Sequence, residues 1–447
     1  MNKVLLMNLP IQSYLQKEFT NDSGYNPSLG LLSIGTWMEL NGYEPIVLDL
    51  CYNRKTSKEL LQLIEEENPI LIGMSVYTEN VDMAISTAKI IKAAFPSIKI
   101  VFGGAHPTLV PDDIITSQYV DFIIRKEGES TFLELCEAVV SNENIIKFDD
   151  IAGLVFKRDN KVIQNKLRSF ITDLDIMPLP KRELAGIENY KDIINISTSR
   201  GCPGNCIYCS ATALSGATYR TRNIDNVFLE VVLLRVIVRD SFLKIYIVDD
   251  TFTAVPVRVL RFADLIKKYN LNIYWHCESR VDVMTEELLD AMTSSRCIAV
   301  QYGIESGSQE VLDKIRKGIN LDIARKVIDS TFKRKILPCL SFMVGHFCDT
   351  KETMEETLNF IKHVSTNYKA EVALSFNTPF PGTWQYTHKD KLGMKLVTDK
   401  YKLFSLLDPI VETNAFTTND QREIFFEARQ YLARITSIER MRKEMVD

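Results

Sequence analysis

Twice along the chain, short apolar runs alternate with amphipathic helical patterns, and this double alternation restricts the fold to parallel sheets covered by helices. In the first run the strand patterns are Val4–Met7, Pro45–Leu50, Ile70–Ser75, Ile98–Phe102 and Phe122–Ile124. Helical patterns occupy Leu29–Asn41, Lys58–Glu67, Val81–Ala94 and Thr131–Ser141. Such strands are apolar on both faces, and ligands of such sheets lie beyond the strands' carboxyl ends. A polar stretch, Asn142–Tyr190, contains Met177-Pro178-Leu179-Pro180 and reads as a linker with a small hairpin. The second run has six strand patterns: Ile193–Ser199, Lys244–Asp249, Ile273–Glu278, Ile298–Gly303, Leu337–Val344 and Glu371–Asn377. Six strands, all but the last followed by a helical pattern, predict a partial (β/α)6 TIM-type barrel with its site at the strands' C-terminal ends. Beyond Leu392 the pattern is mostly helical, notably Asn419–Met445. The expected class is α/β: a doubly wound, Rossmann-like domain over residues 1–141, a linker over 142–190, the barrel over 191–390 and a helical region over 391–447.

At 447 residues the chain exceeds one compact core. Its net charge of -5 and lack of basic runs argue against nucleic acid as a partner. The most apolar helical pattern, Val227–Val238, is interrupted by Glu230 and Arg235, so no membrane span is expected. Met1-Asn2-Lys3 leads straight into an apolar strand, so no secretory signal is expected either. Of nine cysteines, six are scattered, at positions 51, 136, 277, 297, 339 and 348. That is no disulfide framework; it suits a reducing cytoplasm.

The other three stand in Arg200-Gly201-Cys202-Pro203-Gly204-Asn205-Cys206-Ile207-Tyr208-Cys209. The spacing is C-x3-C-x2-C, directly after the barrel's first strand. Three thiolates on one loop can hold a cubane iron–sulfur cluster and leave its fourth iron open to a chelating ligand. Pro203 and Gly204 suit a tight turn whose amides can face the sulfurs. Zinc or plain structural cysteines are the alternatives; zinc takes four ligands, and His276 and Cys277 are distant in sequence.

C-x3-C-x2-C with an aromatic before the last cysteine resembles the radical S-adenosylmethionine (radical SAM) superfamily. The domain before it resembles the cobalamin-binding domain of one branch of that superfamily. The resemblance implies a [4Fe–4S] cluster on Cys202, Cys206 and Cys209, whose open iron binds the amino and carboxylate groups of S-adenosylmethionine and reduces it to methionine and a 5′-deoxyadenosyl radical. It places Tyr208 near the adenine. Asp249 and Asp250, ending the second strand, would receive the methionine amino group, although Asp-rich strand ends equally suit helix caps. Glu278 and Arg280 would hold ribose and carboxylate, and Glu305 and Ser306 would line the cofactor. After Phe342-Met343-Val344-Gly345 the family commonly has a Pro-Gly pair; this chain has His346-Phe347-Cys348-Asp349, and both His346 and Cys348 are candidates to face the substrate. Thr378-Pro379-Phe380-Pro381-Gly382-Thr383 resembles the family's closing segment.

In the first domain, Asn26–Leu31 resembles the family's first helix opening. Three loops resemble those around cobalamin: Ser75, Tyr77 and Thr78; Gly103, Gly104 and His106; and Glu127, Gly128 and Glu129. Where the family more often carries Gly, this chain has Lys126. No D-x-H-x-x-G motif supplies a lower cobalt ligand. Together the resemblances imply a cobalamin-dependent methyltransferase acting on an unactivated carbon of a natural-product or peptide-like substrate, with an external electron donor such as flavodoxin or ferredoxin. A cobalamin-linked rearrangement, ring contraction or cyclisation is the alternative, and a corrinoid-sensing redox protein is an alternative of another class.

Overall fold

The computed structural model describes residues 1–11, 26–141, 147–186, 193–238 and 243–444. Parts of the expected linker (142–146, 187–190) and the end of the expected C-terminal helix at Met445 lie outside them. The chain forms two compact units, Met1–Ile193 with Lys400–Ser405, and Ile194–Asp399 with Leu406–Asp447.

In the first unit the strands are β1 (Lys3–Asn8), β2 (Glu44–Asp49), β3 (Leu71–Ser75), β4 (Lys99–Gly103), β5 (Phe122–Ile124), β6 (Leu154–Arg158) and β7 (Lys161–Gln164). They form one sheet in the order β2-β1-β3-β4-β5-β6-β7. The first five are parallel. Helices α1 (Leu29–Leu40), α2 (Ser57–Glu67), α3 (Val81–Ala94), α4 (Ala105–Leu109) and α5 (Glu129–Val140) belong to this unit. Thr56 and Glu59 form a capping box that starts α2. Alternate residues of each central strand feed different cores: Leu5, Met7, Ile72 and Ile100 enter one, and Val4, Leu6, Leu71 and Val101 the other. Burial on both faces is what the continuous apolar strand patterns require. The order reverses between β1 and β3, a topological switch point whose ligand crevice lies outside the strands' carboxyl ends. The hairpin within 147–186 is β6-β7; it joins this sheet antiparallel to β5.

The second unit has β8 (Ile193–Ile196), β9 (Ser199–Arg200), β10 (Arg220–Thr221), β11 (Leu243–Ile247), β12 (Ile273–Ser279), β13 (Cys297–Glu305), β14 (Leu337–Val344) and β15 (Glu371–Phe376). Its six-stranded sheet runs β15-β14-β13-β12-β11-β8, a half barrel. Burial alternates along the strands. Ile245, Trp275, Tyr302 and Phe342 are fully covered, while Tyr246, His276, Glu278, Gln301 and Ser341 are half-buried on the opposite face. The barrel helices are α6 (Ser210–Ser215), α7 (Ile224–Ile237), α8 (Pro256–Lys268), α9 (Glu286–Ser294), α10 (Gln309–Lys314), α11 (Leu321–Lys333) and α12 (Lys351–Tyr368). The C-terminal helix α13 (Thr418–Glu444) stacks Phe425 on Phe376 of the edge strand β15 at 4.6 Å. It also pairs Glu427 with Lys362 of α12 at 2.7 Å.

Candidate active site and cofactor sites

The first barrel strand is shorter than its sequence pattern. The ladder stops at Ile196, and Ser199–Arg200 pairs instead with Arg220–Thr221. Asp249 explains the break. Its carboxylate accepts from the amides of Thr198 (2.6 Å) and Ser199 (3.1 Å), and from the Thr198 hydroxyl. Arg258 closes the knot, donating to the Thr198 carbonyl at 2.9 Å. Asp249 is 2% exposed, and burial raises its carboxyl despite these donors.

From this anchored turn the chain enters the cysteine loop. Gly201 has φ +88°, and a Cβ there would stand 2.1 Å from the Thr218 carbonyl oxygen, so only glycine fits. The Gly204 amide points at Cys202 Sγ, 3.4 Å away, as a cluster-facing amide should. A Cβ on Gly204 would lie 3.4 Å from Cys202 Sγ and 3.9 Å from Cys206 Sγ, so both sulfurs border the space glycine leaves. Thr251 Oγ1 stands 3.6 Å from Cys202 Sγ. Burial pushes the Cys209 thiol up to about 11, so metal loading must displace its proton. All three cysteines are free of disulfides. Among the described residues no three His, Cys, Asp or Glu side chains are placed to hold a single metal ion. A cubane differs in kind, since its irons sit at separate corners and the thiolates need not converge on one point. The loop fits such a cluster.

Around the loop stand Tyr208, Arg280, Glu305 and Lys317. Lys317 Nζ donates to Glu305 Oε1 at 2.8 Å and to the Tyr208 hydroxyl at 3.4 Å. Burial pulls the Lys317 ammonium down, but Glu305 and Cys206 more than offset it and its affinity for the proton is raised. Arg280 donates to the Lys317 carbonyl at 2.7 Å and forks onto Asp282 at 2.9 and 3.0 Å. A Cβ on Gly204 would lie 3.5 Å from Arg280 Nη1, so this guanidinium borders the cysteine loop. Tyr208 meets His346 edge-on at 5.5 Å. His346 is wholly buried, and burial pushes its imidazole down to about 3, which keeps it neutral. Cys348 is half-buried.

The other residues of the expected cofactor set stand on the half barrel's open face, against α12 and just past β11. Glu278 accepts from the Tyr246 hydroxyl on the half barrel's open face, where Tyr246 stacks on His276 at 4.3 Å. Ser306 is fully buried and bonds Thr357 of α12. Asp250 is exposed. Lys317 escaped the sequence reading because a lone lysine in Arg316-Lys317-Gly318 looks like a solvated loop; nothing local ties it to a residue twelve positions earlier.

In the first unit the loops after β3 and β4 lock together. The Val76 amide donates to the Gly103 carbonyl (2.8 Å), and the His106 amide to the Val76 carbonyl (3.3 Å). Gly104 has φ +104°, and a Cβ there would come 2.8 Å from Val76 O. Thr78 Oγ1 meets His106 Nδ1 at 3.1 Å, while Tyr77 is exposed and Ser75 half-buried. The His106 ring sits edge-on to Tyr401, within the Lys400–Ser405 segment. Beyond β5, Glu129 is buried and accepts from Ser33 at 3.0 Å, and Glu127 accepts from the Ile171 amide at 2.8 Å. Gly128 lies between them at the start of α5. Lys126 has φ +67°, the left-handed region that favours glycine. Its amide donates to Thr108 and its ammonium sits 4.2 Å above the Phe170 ring. Those contacts hold a lysine where the family more often uses glycine.

Because both Asp249 oxygens are engaged, Asp249→Ala is expected to act on stability first. It strands two buried amides, each costing about 1–3 kcal/mol, so the loss should be roughly 2–6 kcal/mol. Denaturant midpoints of the apo-protein measure it, with Asp249→Asn recovering part by keeping one acceptor. A variant of unchanged stability that loses only S-adenosylmethionine affinity would count against this structural role.

Comparison with known proteins agrees with both units. A B12 binding domain model matches residues 20–136 and a radical SAM superfamily model residues 196–361. An uncharacterized methyltransferase of Pyrococcus horikoshii is 29% identical over 433 residues, 95% of this chain and 91% of its own length. The anaerobic magnesium-protoporphyrin IX monomethyl ester cyclase of Rubrivivax gelatinosus is 25% identical over 404 residues, 88% of this chain and 71% of its own. The radical S-adenosylmethionine methyltransferase TsrM from Kitasatospora setae, solved with cobalamin and a [4Fe-4S] cluster, has the same fold. Its TM-score is 0.72 over 97% of this chain and 89% of that one, at 15% identity.

Proposed function

The chain belongs to the cobalamin-binding-domain branch of the radical SAM superfamily, and we propose from that premise that it is a cobalamin-dependent radical methyltransferase acting on an unactivated carbon. The observation that carries the reading is the anchored C-x3-C-x2-C loop on a half barrel whose open face is lined by polar side chains, in a chain that also carries a B12 binding domain. When bound, the cluster and S-adenosylmethionine supply a 5′-deoxyadenosyl radical for hydrogen abstraction, and cobalamin supplies the methyl group.

The chain's own residues hold and orient. Cys202, Cys206 and Cys209 would ligate three irons, and the Gly204 amide would donate to a cluster sulfur. Tyr208, fixed by Lys317 and His346, presents an aromatic wall beside the loop. Arg280, which borders the loop, and Glu305, held by Lys317 beside Tyr208, would help to seat S-adenosylmethionine. Ser75, Gly103 and Gly104, at the ends of β3 and β4, would border the corrin, at the place where doubly wound sheets bind ligands.

Among the described residues no helix is long and apolar enough to cross a membrane. We assign the protein to the cytoplasm, with a flavodoxin- or ferredoxin-class protein delivering electrons one at a time.

The test is anaerobic turnover of reconstituted protein with candidate substrates and isotopically labelled S-adenosylmethionine. A product heavier by one methylene, with one equivalent each of S-adenosylhomocysteine and 5′-deoxyadenosine, supports methylation. The similarity to a ring-forming cyclase favours a second reading, oxidative cyclisation without methyl transfer. A product lighter by hydrogen, with no label incorporated, would select it.

A further inference from the structure

Glu305 and Lys317 form an ion pair whose construction is costly. Their side chains are only 11% and 8% exposed. Glu305 sits at φ +72°, unusual for any residue with a side chain, at an irregularity where β13 slips against β14. Gly303 has no side chain where a Cβ would stand 2.5 Å from Glu305 Oε1 and 2.9 Å from Lys317 Nζ. Backbone strain, a bulge and a glycine are all committed to one pair. Stability does not explain this, since a buried ion pair often does no better than apolar side chains of the same volume. Strained positions of this kind cluster at functional sites.

The pair's position supplies a reason. Lys317 reaches the hydroxyl of Tyr208, which stands between Cys206 and Cys209 in the loop, and its carbonyl holds Arg280, whose guanidinium borders the same loop. Charges this deep are little screened by salt. We propose that the Lys317–Glu305 pair sets the reduction potential of the cluster on Cys202, Cys206 and Cys209, a role that rests on the cluster reading above. Taking one electron from an external donor carries a [4Fe–4S] cluster from the 2+ to the 1+ state and adds one negative charge beside the pair. The ammonium stabilises that charge and the carboxylate opposes it. Net cluster charge and its surroundings are the usual determinants of such potentials. Both residues are positioning residues here, acting through the field.

Three variants test this in reconstituted, full-length protein without S-adenosylmethionine, titrated with dithionite in mildly alkaline buffer and followed by electron paramagnetic resonance. Lys317→Met removes the cation and should make the cluster harder to reduce. Glu305→Gln removes the anion and should make it easier. Each should change the reduced-to-oxidised ratio at fixed potential at least about tenfold, ~59 mV for a one-electron couple. Lys317→Arg keeps the charge and should stay close to wild type. Opposite displacements support the inference, because a merely structural disturbance would move both variants the same way. Unchanged midpoints, or shifts of one sign in both, overturn it. If Lys317→Met retains no cluster, Glu305→Gln decides alone, and failure of its potential to rise overturns the inference. Wild-type protein that assembles no cluster would instead defeat the underlying reading of the cysteines.

Discussion

Cys206→Ala protein, reconstituted anaerobically with iron and sulfide, is expected to lose the cluster and to form no 5′-deoxyadenosine from S-adenosylmethionine. The wild type should bind about four irons per chain, the content of one cubane. Cys206 is the most enclosed of the three thiols at 8% exposure, and its sulfur borders the space left by Gly204. With one of three ligands gone, two irons lack protein ligands and the cluster is open to loss. Iron content should fall several-fold, and reductive cleavage should fall to background. The control is a cysteine elsewhere in the same barrel. Cys277 is fully buried in β12, with its side chain on the face opposite the half-exposed one. Cys277→Ala removes one sulfur from a packed core, so it should cost some stability while iron content stays at the wild-type level. Full cleavage activity in Cys206→Ala would remove the basis for the whole site.

The contrast between these cysteines shows what was readable in the sequence. Three thiols within eight residues are brought to one loop by covalent spacing, so their role needs little tertiary information. The same holds for the strands of the first sheet, whose continuous apolar runs mean burial on both faces, as Leu5 and Leu6 confirm by entering opposite cores. What stayed hidden depends on contacts across the fold. The strand pattern Ile193–Ser199 looks unbroken, yet its ladder ends at Ile196 because Asp249, fifty residues on, takes the amides of Thr198 and Ser199. Glu278 and Arg280 share a strand end in sequence, but Glu278 accepts from Tyr246 while Arg280 borders the cysteine loop. Lys400–Ser405 joins the first unit with no change in local periodicity to announce it. Gly104 was legible as a special residue, but the requirement on it comes from the Val76 backbone.

That distinction between adjacent glycines selects the variant that tests the corrinoid. Substituting Gly104 would force a left-handed backbone on a residue with a side chain and drive its Cβ to 2.8 Å from a carbonyl oxygen, so any loss of cobalamin there would be uninterpretable. Gly103 differs. It closes β4 with ordinary strand pairing to Ser75, and among the described residues a Cβ on it would meet only the Ile124 carbonyl oxygen, at 3.8 Å. Among the described residues nothing demands glycine at this position, so a ligand lying against the strand end is a reason to keep it bare. Gly103→Leu is therefore expected to fold, to keep its iron and to cleave S-adenosylmethionine, while binding corrinoid poorly. Overpacking a well-fitted contact costs about 1–3 kcal/mol, which lowers affinity roughly five- to hundredfold. The measurement is reconstitution with hydroxocobalamin, removal of excess and the visible spectrum, with iron content recorded on the same sample. Methyl transfer should fall with corrinoid occupancy while 5′-deoxyadenosine formation persists. Stoichiometric corrinoid in Gly103→Leu would move the cofactor away from the ends of β3 and β4. A wild type that retains none yet transforms its substrate would remove cobalamin from the reaction altogether.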